Sequence, residues 1–446
     1  MLAGAYLQNL CSRGRTRKEI YMKTTELLSY VEAGALDARL AEIYGDENVD
    51  AQRKRYTEAI EEFYNIYGER ETELFSVPGR SEISGNHTDH NHGCVLAGSI
   101  NLDIIAVASK TDNTEIRIKS KGFDEDVVDI AKYTKPNEDD YFKSSALIAG
   151  MARAFCDLSL NVGGYVAYTT SNVFKGSGLS SSAAFEVMIG NMLNHFYNGG
   201  RVDNVEIAKM AQFAENKFFG KPCGLMDQVA CAVGGFVAID FEDPTSPKIE
   251  KIALDLDAKG YALCIVNTGG NHADLNEDYA SVPAEMKSVA RYFGHSVLRE
   301  MTLEELLSDI EGARARVGDR AILRAIHFFN ENVRVSAQAR ALLDGDLDEF
   351  FSGVMASGRS SFMYLQNVFT TKNVSEQGLS LALALTDNAL KGKGGAYRVH
   401  GGGFAGTIQA FVPKSEVESY RKVIDSAFGA GACHVLRIRG YGAIKL

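Results

Sequence analysis

Lys175-Gly176-Ser177-Gly178-Leu179-Ser180-Ser181-Ser182-Ala183 follows a strand-like run, Gly164 to Thr169, and opens onto apolar residues at helical spacing: Phe185, Met188, Ile189, Met192, Leu193 and Phe196. A strand, a Gly/Ser turn and an amphipathic helix in that order turn backbone N–H groups toward one point at a helix N-terminus. The helix dipole adds positive potential there, and the two together make a phosphate cradle. The segment is not a Walker A loop, because G-x-x-x-x-G-K-[ST] occurs nowhere. Nor is it a nucleophile elbow, because Ser182 stands where G-x-S-x-G needs its second glycine. A plain surface turn would share this composition, but it would not need the helix that follows.

Working outward, a second helix carries Ile207, Met210, Ala211, Ala214 and Phe218, with Glu215 beside the apolar stripe and Gly220 and Pro222 as its stop. Upstream, the pattern predicts a helix from Arg53 to Tyr67, ending at Gly68, and a strand from Leu74 to Val77 that Pro78 and Gly79 end. Further strands are predicted at Ile104–Ala108, Glu115–Ile118, Gly235–Asp240, Ala262–Asn267, Gly406–Val412 and His434–Arg439. A long helical region runs from Pro283 to Leu390, and another helix from Ser415 to Phe428. Strands and helices alternate without an even repeat, which predicts an α+β fold. The 446 residues suit two domains with an appendage: a helical extension over 1–52, then 53–245 and 246–446, divided near the turn residues Pro244, Ser246 and Pro247.

Composition narrows the function classes. Hydrophobic residues make up 45% and charged residues 24%, the balance of a globular chain. A net charge of -11 argues against general affinity for nucleic acid or anionic membrane. No apolar run approaches the roughly 18 to 20 residues of a spanning helix. The seven cysteines are scattered without a C-x-x-C pair, which fits reduced thiols and a cytoplasmic location.

Three further segments concentrate polar chemistry. Val77 to Gly93 carries Arg80, Glu82, Asn86, His87, Asp89, His90 and His92, more hydrogen-bonding side chains than a solvated loop requires. Its histidines and Asp89 could ligate zinc, but no distant Cys or His pair completes such a site, and a polar substrate pocket competes. Cys223-Gly224-Leu225-Met226-Asp227-Gln228 sets one carboxylate in an apolar context. His400 to Gly406 formally contains G-x-G-x-x-G, yet a strand rather than a helix follows, so close packing against another loop explains it better than a dinucleotide site.

In chain order these motifs resemble the GHMP kinases, and among them the galactokinases. The signature P-G-R-x-N-x-I-G-E-H-T-D-Y-N is similar to Pro78–Asn91, with departures at Glu82, Ser84, Asn86 and His90. G-L-S-S-S-A is Gly178 to Ala183, C-G-[IL]-M-D-Q is Cys223 to Gln228, and G-G-G-F-G-G is Gly401 to Gly406 with one alanine. The likeness extends from about Tyr56 to the C-terminus. It implies a two-domain fold, with an N-terminal domain like ribosomal protein S5 domain 2 and a ferredoxin-like C-terminal domain. It also implies phosphoryl transfer from MgATP to the C1 hydroxyl of galactose.

By the same resemblance, Gly176, Ser177, Gly178, Leu179, Ser180, Ser181, Ser182 and Ala183 hold the triphosphate, and Ser182 and Glu215 ligate Mg²⁺. Asp227 is the base and Arg80 its partner, while Asn86, His87, Asp89, Gly224 and Tyr279 bind the sugar. Tyr141 remains of an adenine-side Trp/Tyr pair, with Glu138 at the Trp position. The family has Glu where this chain has Asn86, near the sugar's C6, which relieves repulsion of a C6 carboxylate. No Lys or Arg lies between Ser81 and Ile104 to bind one. Galactose is the expected substrate; galacturonate, another sugar, or a non-catalytic sugar sensor are the alternatives. No motif residue precedes Pro78, so residues 1–52 are expected to be dispensable for the site.

Overall fold

The computed structural model describes residues 22–133, 135–174, 178–270 and 275–446. Gly176 and Ser177, expected in the phosphate loop, lie outside the described residues. The first sheet is built from β1 (Met22–Lys23), β2 (Glu71–Ser84), β3 (Cys94–Lys110), β4 (Glu115–Ser120), β5 (Glu125–Asp129), β6 (Tyr165–Ser171), β7 (Phe236–Asp240) and β8 (Lys248–Ile252). A four-stranded antiparallel sheet follows, formed by β9 (Tyr261–Asn267), β10 (Ala396–His400), β11 (Thr407–Pro413) and β12 (Cys433–Leu436). The chain then returns to the first sheet, where β13 (Ile444–Lys445) pairs with β2.

Both faces of the first sheet are covered, and β3 shows how its sequence arranges this. Ile104, Ala106 and Ala108 point to one side, Ile105 and Val107 to the other, and all five are buried. A strand buried on both faces reads as a continuous apolar run rather than an alternating one. Over the Ile105 side lie α1 (Thr24–Glu32), α2 (Asp37–Tyr44) and α3 (Val49–Tyr67), through Val31, Ile43, Ile60 and Phe63. The opposite side packs on α4 (Ser144–Asp157), α5 (Ser181–Asn198), α6 (Asn204–Phe213) and α7 (Met226–Val233).

In the second half the helices are α8 (Asn276–Tyr292), α9 (Leu303–Ser308), α10 (Ile310–Val317), α11 (Asp319–Asp344), α12 (Leu347–Ser360), α13 (Gly378–Leu390) and α14 (Val417–Phe428). One face of the small sheet buries Val266, Ile408 and Ala410 against Leu379, Tyr420 and Ile424. The other brings Leu263, Ile265 and Phe350 together with Leu96, Ile100 and Phe236 of the first sheet. That apolar seam fixes the two halves against each other. No helix among the described residues is long and apolar enough to cross a membrane.

Three expectations change. β2 does not end at Pro78 but runs on to Ser84, because register shifts between Pro78 and Arg80 and between Glu82 and Ser84 bend the strand. The proline lacks a ladder donor, yet the Arg80 N–H finds its acceptor in Leu179 O at 3.1 Å, so the strand meets the phosphate loop while it stays paired with β3. Pro244 marks a hairpin turn inside the first sheet, since β7 and β8 pair, and the chain crosses to the second sheet between β8 and β9.

The third change concerns the extension. Residues 22–52 are largely helical, as the sequence suggests, but they are integrated: β1 pairs with β2, and Leu40, Ile43 and Tyr44 are buried. The Tyr44 hydroxyl donates to fully buried Asp103, which also accepts from Ser76, from Arg55 at 2.6 Å and from Arg439 at 3.0 Å. Burial alone would raise the Asp103 carboxyl. Arg55 and Arg439 outweigh it and hold the group below the usual carboxylate range. Its contribution is therefore complete above the unfolded carboxyl range and is lost as pH falls through the lowered folded value. Asp103→Asn leaves two guanidiniums short of a counter-charge, and urea unfolding should show a loss of about 3–5 kcal/mol.

Candidate active site

The Gly/Ser turn reaches α5 by a tight route. Gly178 has φ +71 and Ser180, the residue that caps the helix, has φ +60, a conformation a non-glycine residue adopts only when its surroundings demand it. What demands it is a carboxylate. The Ser180 hydroxyl donates to Asp227 Oδ2, while Arg80 Nε donates to Asp227 Oδ1 at 2.7 Å. A second Arg80 donor reaches Gly178 O. Gly79 must be glycine for this approach, since a Cβ there would stand 2.6 Å from Leu179 O. One guanidinium thus ties β2, the turn and the first turn of α7 together.

Two cavities are lined by chain neighbours of this cluster. The larger, about 820 Å³, is lined by Ser181 and Ser182 of the turn and by Phe123, Phe142, Phe185 and Phe219. Tyr141 packs against Gly220, beside Phe219, and Phe142 is the neighbouring residue that reaches the cavity wall. The smaller cavity, about 160 Å³, is lined by polar residues of the 82–90 segment together with Met226 and Gly402. Met226 precedes Asp227 and Ser181 follows Ser180, so each cavity is lined by a residue next to the cluster in the chain.

Around the small cavity the expected residues converge. His87 Nε2 is 3.0 Å from Gly402 O, a pure acceptor, so Nε2 carries the proton and Nδ1 is left as an acceptor. Burial pushes the His87 imidazole down to about 4, with the backbone bond opposing, which keeps the ring neutral near pH 7. Gly224 lies against Asp89, where a Cβ would stand 2.6 Å from the carboxylate. Tyr279 donates to Gly403 O at 2.9 Å and packs on Gly402, so the 400–406 glycines serve close loop packing, as expected.

Asn86 lines the same cavity, with its side chain bonded within the protein. Its amide is engaged throughout, donating to Glu82 Oε1 and Gly401 O, both at 2.7 Å, and accepting from Asn367 at 2.6 Å. An acidic side chain is still present beside Asn86, at Glu82. A cation is also near: Arg398 of β10 lies 3.9 Å from Glu82, brought there from 316 positions downstream by the second sheet. The segment is braced from behind by α11, where His327 donates to Asn86 O and Glu331 accepts from the Gly85 N–H.

Glu215 sits in a π-helical turn, Ala214–Phe219, that follows α6. Lys221 meets its Oε1 at 2.8 Å and the Gln228 amide its Oε2 at 2.8 Å. The same amide reaches Glu186 at 3.2 Å, and Glu186 Oε1 is buried without a partner. Burial, and then Glu215, push the Glu186 carboxyl well above its ordinary value. Glu186 was legible in principle: it follows Ser182 by four residues on the same helix face.

A mixed sheet carrying a Gly/Ser turn at a helix N-terminus, joined to a second α+β unit with a carboxylate–guanidinium pair at the join, is the architecture of the GHMP small-molecule kinases. Residues 146–235 match the GHMP kinases N-terminal domain, and residues 61–110 match the galactokinase galactose-binding signature. The galactokinase of Actinobacillus pleuropneumoniae serotype 5b is 31% identical over 370 residues, 82% of this chain and 92% of that protein. The galactokinase of Streptomyces coelicolor is 29% identical over 384 residues, covering 85% and 94%. The chain belongs to the galactokinase family. In fold it is similar to Lactococcus lactis galactokinase, solved in complex with galactose, with a TM-score of 0.71, 24% identity, and coverage of 86% of this chain and 98% of that one. A mevalonate kinase structure, 14% identical, matches with a TM-score of 0.58 over 82% of this chain and 99% of its own.

Proposed function

We propose that the protein is an ATP-dependent sugar 1-kinase that transfers the γ-phosphoryl group of MgATP to the C1 hydroxyl of galactose, giving galactose 1-phosphate and ADP. The observation that carries this reading is the Ser180–Asp227–Arg80 cluster, with the residue before Asp227 lining a polar, hexose-sized cavity and the residue after Ser180 lining a larger cavity with several aromatic walls. Phosphoryl transfer asks mainly for positioning and charge compensation. The turn and the N-terminus of α5 offer N–H groups to phosphate. Asp227 accepts from the sugar hydroxyl in the place Ser180 now fills, and Arg80 offsets charge developing on the transferred group.

The acidic pair fits a hard divalent cation. Glu186 and Glu215 share one amide donor, one of their oxygens is buried without a partner, and Ser182 presents a hydroxyl one turn before Glu186. Magnesium held by Ser182 and Glu215, with Glu186 behind them, would neutralise phosphate charge when bound. A carboxylate at C6 of the sugar is disfavoured. Glu82 and Asp89 already line the small cavity, and Arg398 faces Glu82 rather than standing free.

Coupled measurement of ADP release tests the reading. Release should require magnesium and galactose together, with a hexose phosphate seen by mass spectrometry. Galactose should exceed galacturonate in kcat/KM by at least about tenfold, or 1.4 kcal/mol. Sugar-independent ATP turnover with no phosphosugar would overturn the activity, and a preference for galacturonate would overturn the substrate.

A further inference from the structure

The two carboxylate oxygens of Glu82 are differently placed. Oε1 accepts from Asn86 Nδ2 at 2.7 Å. Oε2 receives no hydrogen bond from any described residue, although Glu82 is only 8% exposed and lines the small cavity with His87 and Asp89. Arg398 does not supply the missing donor, since at 3.9 Å it is beyond hydrogen-bond reach and it donates instead to Ile83 O and Ser361. Oε2 is not sealed from solvent, so a hydroxyl brought into the cavity by a ligand can reach it and take the place of water. Asn86 cannot play this part, because both its amide protons and its carbonyl oxygen are already used within the protein.

We propose that Glu82 is the specificity-determining residue of the sugar pocket: its free carboxylate oxygen accepts a hydrogen bond from a sugar hydroxyl, and Asn86 is the positioning residue that holds the carboxylate in place. The inference rests on the sugar-kinase reading above. Against the family signature, which has Asn and Glu where this chain has Glu82 and Asn86, the two positions have exchanged amide and acid. The hydrogen bond between them keeps one carboxylate and one amide at the same spot. The pocket therefore keeps an acid, which repels anionic sugars where it is ionised.

The charged groups that face Glu82 are Arg80 on its own strand, Arg398 on β10 and Asp89 on the following turn. Burial dominates over the two arginines and pushes the carboxyl up to about 7. Glu82 is then mostly protonated at pH 6 and ionised at pH 8. An ionised acceptor takes the stronger hydrogen bond, so sugar affinity should rise with pH across this range.

Galactose binding without nucleotide and steady-state kinetics at pH 6 and pH 8 test this with Glu82→Gln, Glu82→Asn and the double exchange Glu82→Asn/Asn86→Glu. Glu82→Gln should raise the galactose KM at least about tenfold while kcat changes by less than about threefold, and should abolish the pH dependence of binding. The double exchange should recover most of what Glu82→Asn loses, a coupling that two independent structural defects would not show. A KM within about twofold of the parent in folded Glu82→Gln, an unchanged pH profile, or additive losses in the double exchange would overturn the assignment. Should the unmodified protein phosphorylate a hexose other than galactose, the galactose reading fails, and the same series run with that hexose still decides the role of Glu82.

Discussion

Asp227→Asn should lower kcat by at least about a hundredfold while leaving nucleotide affinity nearly unchanged, because a positioned base contributes that much and the substitution is isosteric. The geometry separates the two effects. Asp227 Oδ2 accepts from Ser180 and Oδ1 from Arg80, whereas the cavity walled by Phe123, Phe142 and Phe219 is lined by other residues. An asparagine can still accept one of these bonds, so the turn and α7 should stay in register. Its amide nitrogen can only donate, and it faces either a guanidinium or the sugar hydroxyl with the wrong polarity. Single-turnover kinetics with ATP binding followed in parallel would decide the matter. Near-normal turnover in a folded variant would remove Asp227 from the chemistry.

Much of this site was legible before the fold was known, and the reason is local. A Gly/Ser turn entering a helix, and a run such as Cys223–Gln228, are local patterns, so the turn and the carboxylate were visible in the sequence, while the roles of Ser180, Ser182 and Asp227 came from the resemblance to the galactokinases. The parts that were not legible depend on contacts across the chain. Arg398 meets Glu82, and Glu331 meets the Gly85 N–H, only because the second sheet and α11 are packed behind the 82–90 segment. Glu82 itself read as a departure from a pattern. Its meaning appears only with the 2.7 Å bond to Asn86, since strand spacing does not show that positions four apart will face each other across a bend. The packing of the extension was hidden for a related reason: the motifs say which residues do chemistry, not that Tyr44 closes a buried network around Asp103 beneath the same sheet.

Arg80→Ala should reduce kcat by about 10²–10³, the scale seen when a donor aimed at developing charge is removed, with a smaller change in sugar KM. The substitution removes the donors to Asp227 and to Gly178 O, so part of the loss will come from a carboxylate and a turn that are no longer held together. Arg80→Lys separates these contributions. A lysine keeps the positive charge but cannot span two acceptors with a planar fork. If charge compensation dominates, Lys should recover at least about a tenth of the lost rate, whereas if the fork's alignment of Asp227 and the turn dominates, Lys should resemble Ala. The geometry favours the second outcome, because Arg80 is only 7% exposed and has its donors committed to two different elements at once. An effect confined to ATP affinity in both variants would instead place Arg80 on the nucleotide side, and the pairing with Asp227 would then be a scaffold for the turn rather than part of the transfer step.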